Sequence, residues 1–167
     1  MRRLLAATAI ALAPLGAQAQ DEGGAFVEVK LLKPELALEL AVAAMESCRA
    51  GGYQVGVAVV DRFGVLQVFL RDRFAGPHVE EIAQRKAWTA VSFRTDTLAL
   101  DHETRDGSLS AGIRDSARAI ALGGGVPILA GDGALLGGVG VSGAPGPDID
   151  DECARAGIAA IEDEIAF

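Results

Sequence analysis

Apolar positions along the chain change period several times, and each change marks an element. Lys33-Pro34-Glu35 carries proline where a first helical turn tolerates it. The helix it opens is predicted to run to about Arg49 and stop at Gly51-Gly52. Its polar positions Glu35, Glu39, Glu46 and Arg49 form one narrow stripe, and the rest is mainly Ala, Leu, Val and Met. So apolar a helix is expected to be covered on more than one side. Val55 to Val60 is a nearly unbroken β-branched run, predicting a buried strand. Asp61 to Gly64 is a turn, and Val65 to Arg71 a returning strand, which makes an antiparallel hairpin. Helical spacing returns from His78 to Phe93, with Val79, Ile82, Ala83, Ala87, Ala90 and Val91 on its apolar side.

Thr95 to Gly107 is polar and mixed, a loop with a short helix, and Leu109 to Ala119 is a further short turn or helix. Glycine then becomes dense. Gly123-Gly124-Gly125 leads into a strand ending near Ala130, Gly131-Asp132-Gly133 is a hairpin turn, and Ala134 to Ser142 is the next strand. Small residues throughout that strand let another backbone, a subunit or a ligand come close. The last helix is expected over Asp148 to Ile165, buried through Ala154, Ile158, Ile161 and Ile165. Asp148, Asp150, Asp151 and Glu152 stand at its start, where the helix dipole favours negative charge, and are read as capping residues.

Helices do not alternate singly with strands, so a doubly wound parallel sheet is disfavoured. The expectation is one α+β domain with a central antiparallel sheet of about five strands flanked by helices. Upstream, Met1-Arg2-Arg3 is a short basic stretch, Leu4 to Ala13 an unbroken apolar run, and Ala17-Gln18-Ala19 a small-x-small pattern. This is the pattern of a secretory signal peptide, residues 1–19, followed by a domain over residues 20–167. Export to a periplasmic or extracellular location follows as the expectation, with no membrane span once the signal is removed. In an oxidising compartment Cys48 and Cys153 can pair, the alternative being two small buried thiols. If the first and last helices pack antiparallel on one sheet face, the two cysteines meet.

Composition narrows the function classes. The chain is 50% hydrophobic and 23% charged, which excludes disorder. A net charge of −8 gives no field to attract phosphate backbones, and 5% aromatics gives few stacking platforms, so nucleic acid is not an expected partner. The glycine run precedes a strand and lacks the Lys-Ser/Thr of a phosphate loop. Ser142 lacks the G-x-S-x-G order of a nucleophile elbow. No catalytic residue is assigned. His78, at a helix start, and His102, between Asp101 and Glu103, are the two imidazoles. Each is either solvated or a metal ligand. Lys86 and Thr89 share a helix face with Ile82 and Phe93. A lysine there snorkels to water or meets a ligand carboxylate at a pocket edge.

Several stretches together resemble the GlcG/HbpS-like family, also called the haem-binding or haem-degrading domain family. They are Val57 to Asp61 with Gly64, Arg71 to Gly76, and Glu81 to Ala90 with Phe93 and Thr97. Gly123 to Ile128, Gly137 to Gly143, Asp151 to Ala154 and Ala156-Gly157 follow in the family's order. Ser92 to Thr97 departs from it, standing where a more Gly/Pro-like stretch is usual. The resemblance implies a profilin-like, GlcG-like single domain, homo-oligomers, and non-covalent haem. It leads to an exported haem carrier, buffer or haem-sensing accessory with a possible sensor or redox partner, more an accessory than an enzyme. The alternative is a binding or enzymatic module for a small hydroxy acid or diol. For haem, His78 is the expected iron ligand, with His102 in reserve and Tyr53 and Met45 after it. Ile82 and Phe93 would supply apolar contact and Lys86 a propionate partner, with Thr89, Gly124 and Gly125 completing the site.

Overall fold

The computed structural model describes residues 24–167. The expected signal peptide and its cleavage point lie outside the described residues. The chain opens with α1 (Pro34–Ala50), whose proline occupies the first turn. The hairpin β1 (Gly56–Asp61) and β2 (Leu66–Arg71) follows, then α2 (Val79–Phe93) and the short α3 (Thr97–Glu103). A 3-10 turn at Ala111–Asp115 precedes β3 (Gly125–Leu129) and β4 (Leu135–Ser142). The expected last helix divides into α4 (Pro147–Ala159) and a single turn, α5 (Glu162–Ile165).

The strands form one antiparallel sheet in the order β2-β1-β4-β3. The α+β expectation holds, with four strands among the described residues where about five were expected. β1 and β4 pair centrally, Val57 opposite Val141 and Val59 opposite Val139. Strand alternation sends these four valines to one face, where they join the core built by α1 and α4. Leu40, Ala41, Ala44 and Cys48 of α1 and Ala154 of α4 are fully or nearly fully buried there. Gly157 of α4 has Leu40 and Ala44 where a side chain would project, so the two helices approach closely.

The alternate residues face α2 and are small. A Cβ at Gly140 would collide with the Ala83 carbonyl oxygen and the Ala87 nitrogen, and one at Gly138 with the Ala87 carbonyl oxygen. Gly56 lies under Val79, and Gly125 under the Lys86 backbone. The small residues of β4 therefore seat the backbone of α2. Every residue of β4 is buried within the chain, so that strand offers no face to a second subunit. In α1, Leu38 and Val42 do stay exposed beside the polar stripe.

Cys48 and Cys153 form a disulfide, with Cα atoms 5.5 Å apart, joining the end of α1 to α4. α2 ends on Arg94 at φ 52, a left-handed position that favours glycine, and it falls in the stretch that departs from the family pattern.

Candidate functional site

His78 caps the start of α2 and is exposed. Two turns on, Lys86 points inward toward the end of the sheet and is only 1% exposed. It does not snorkel. Its ammonium donates to Asp150 Oδ2 at 2.7 Å and to the Val141 carbonyl oxygen at 2.8 Å. Asp150 belongs to the first turns of α4, so the pair ties together two helices from opposite faces of the sheet. The crossing is possible because Gly124 and Gly125 have no side chains. A Cβ at Gly124, where φ is +110, would stand 3.0 Å from Lys86 Nζ and 2.6 Å from Asp150 Cβ.

Asp150 is thus not a helix cap. The N-cap of α4 is Gly146, with no side-chain cap, and Asp150 Oδ1 accepts instead from the Ala144 N–H at 3.0 Å. Asp151 is also buried, its Oδ2 accepting from Arg155 at 2.7 Å. Burial presses both members of the Lys86–Asp150 pair toward neutrality, lowering the lysine pKa and raising the aspartate's, while their mutual attraction opposes this. Ion pairs this deep depend on good geometry to offset desolvation, and removing one partner strands the other.

The pair forms the inner end of a cavity of about 290 Å³. His78 stands at its rim, Ile82, Leu122 and Pro145 line its apolar walls, and Ser142 lies beside the pair. A larger groove of about 570 Å³ runs between the segment before α1 and the C-terminus, past Leu31, Leu36 and Phe167. The charged residues along it, Lys30, Lys33, Glu35, Glu39 and Glu164, are exposed. The smaller cavity brings buried polar groups together against apolar walls, and that combination marks a ligand site.

The expected site residues divide between these surroundings. His78 and Lys86 share the cavity, and Gly124 and Gly125 pack against Lys86. Thr89 is fully buried with its hydroxyl engaged: it donates to the Arg85 carbonyl oxygen at 2.7 Å and accepts from the Ile120 N–H at 3.0 Å. Phe93 is 38% exposed at the far end of α2 and does not line the cavity. His102 is exposed on α3, also outside it. Met45 is buried in the core under α1, and Tyr53 packs against that same core, so neither reaches the cavity. Asp150, Ser142 and Leu122 belong to the site without having been assigned to it. For Asp150 the signal was present in the sequence, an acidic residue at a helix start, but its partner is 64 residues away.

Residues 32–159 match the family described as haem-degrading, HbpS-like proteins. The chain belongs to the HbpS-like family. A double mutant of HbpS from Streptomyces reticuli is 39% identical, with TM-score 0.77, over 90% of this chain and 98% of that one. PduOC, solved in complex with haem, is 33% identical with TM-score 0.73 over 78% of this chain and 95% of that one. The Klebsiella pneumoniae protein ORFY is 25% identical with TM-score 0.78 over 83% of this chain and 95% of that one. The corrinoid adenosyltransferase PduO of Salmonella typhimurium is 34% identical over 74% of this chain. This HbpS-like chain spans only 37% of that relative's length.

Proposed function

We propose that this protein is an exported haem-binding protein that buffers haem or carries it to a redox or sensor partner. The observation that carries the reading is His78: an exposed imidazole, without a hydrogen bond among the described residues, at the rim of a cavity with apolar walls. Membership of the HbpS-like family and likeness to PduOC, solved with haem, support it. In this reading His78 holds the iron and Ile82, Leu122, Pro145 and Pro147 meet one edge of the macrocycle. Haem, when bound, supplies the iron and its redox chemistry. The cavity, about 290 Å³, is smaller than a porphyrin with its substituents, so it admits an edge only. A second copy of the chain then covers the rest. The exposed Leu38 and Val42 on α1, on the other side of the sheet, support assembly in general without placing a copy over the cavity. The basic and apolar N-terminal pattern supports export, as does a disulfide between Cys48 and Cys153.

Haemin titration tests the reading. Wild type and His102→Ala are expected to give the same saturable absorbance band, and His78→Ala to lose or shift it. On incubation with ascorbate the bound haem is expected to keep its band, as a carrier's would. An unchanged band in His78→Ala removes the ligand assignment, and no saturable binding by wild type removes the function.

A further inference from the structure

We propose that the inner end of this cavity, which Ser142 and Lys86 both line, is a binding subsite for a ligand carboxylate. Alternation along β4 sends Val139 and Val141 to the α1 side of the sheet and Gly140 and Ser142 to the α2 side. Ser142 is therefore turned toward the cavity it lines. It is 4% exposed, and its hydroxyl has no hydrogen-bond partner among the described residues. Ser142 Oγ is not among the side-chain atoms sealed away without a partner, so the hydroxyl opens onto the cavity and is free to donate to what enters it. Lys86 adds a second donor. An ammonium has three N–H groups, and Asp150 and the Val141 carbonyl take two of them.

Asp150 balances the lysine's charge but takes only one of its N–H groups. Its Oδ2 is held by Lys86 and its Oδ1 by the Ala144 N–H, so both oxygens already have donors. The cavity also lies at the starts of two long helices, with His78 capping α2 and Gly146 capping α4. Their dipoles add positive partial charge at the same place. The carboxylates of Glu80, Glu81 and Asp148 in those first turns are exposed and do not line the cavity. A carboxylate, with acceptor oxygens and no donor, complements a hydroxyl and an ammonium N–H. Ile82, Leu122 and Pro145 leave room for a short aliphatic body behind it.

Two sources present this chemistry: a propionate arm of haem, or a free short-chain carboxylic acid. Only the first rests on the haem reading. The test measures binding of propionate, propionamide, haem and haem dimethyl ester to the whole chain and to Ser142→Ala. Melting temperatures confirm that the variant folds, and Ser142→Cys replaces it if it does not. The expected result is at least a tenfold loss of carboxylate affinity in the variant, with propionamide and the ester indifferent to the change. Loss confined to free propionate assigns the site to a free acid. Loss confined to haem, with the ester unaffected, assigns it to a haem propionate. If haem fails to bind wild type while propionate binding depends on Ser142, the haem reading falls and the subsite stands. If no carboxylate distinguishes wild type from the variant, or propionamide binds as well as propionate, the subsite is overturned.

Discussion

The two faces of the sheet are built on opposite principles. Toward α1 and α4, Val57, Val59, Val139 and Val141 project side chains into a continuous apolar core, closed by the Cys48–Cys153 disulfide. Toward α2, Gly56, Gly138 and Gly140 project nothing, and the helix backbone rests on the strands. The first face adds burial, and small losses there are spread over many contacts. The second fixes a position, because two backbones in contact cannot yield as side chains do. It is the second face that carries His78 and Lys86, so the placement of the candidate site depends on residues without side chains.

The largest effect is expected at the link between the two layers. Asp150→Ala leaves Lys86 charged and unpaired in the interior, and an expected loss of about 3–5 kcal/mol should appear in urea unfolding. Lys86→Met in that background should recover part of it, since the stranded charge is gone. Next comes the core face. Replacing Cys48 and Cys153 together by alanine opens a link across 105 residues, with an expected cost of about 2–5 kcal/mol by thermal unfolding. The position of α2 should survive, so ligand binding by the folded fraction is expected to hold. Gly140→Ala reverses that outcome. Overpacking costs about 1–3 kcal/mol, but α2 must move, so ligand affinity should fall further than stability does. Val139→Ala, its neighbour on the other face, serves as the control: stability falls and ligand affinity does not.

The smallest effect is a pH dependence outside both faces. Asp72 is buried and accepts two hydrogen bonds from Arg49, at 2.7 and 3.0 Å, which hold its carboxyl below the usual range. A folded pKa below the unfolded one gives stability that is present above the unfolded value, about 3.9, and lost as pH falls through the folded value. Melting curves taken downward from pH 5 should therefore show a steeper acid decline in wild type than in Asp72→Asn.

Much of the architecture follows from local pattern. Proline at the start of α1, the valine run of β1 and the 3.6-residue spacing of α2 place these elements within a residue or two of where they stand. Local spacing also limits what can be read. The last helix breaks at Ala160–Ile161 although its apolar stripe continues through Ile165, because a stripe constrains which side is buried and not whether the backbone runs on unbroken. The glycines of β4 announced a close approach but not what approaches, since a missing side chain names no partner. That partner is α2, and it closes the strand to any second subunit.

For the site, the residue types on offer were legible along the chain: an imidazole at a helix start, a lysine on an apolar face, an acidic helix start, and a glycine run before a strand. Tertiary structure alone decided which of them meet. Lys86 is joined to Asp150 across 64 residues, through the space left by Gly124 and Gly125, and Thr89 is committed to the Ile120 N–H. The reason is that burial and pairing depend on distances between elements, while spacing along one helix reports only which of its own residues share a face. A lysine on an apolar face reads as surface-bound until a buried carboxylate is known to face it, and only the packing of α2 and α4 around the end of the sheet puts one there.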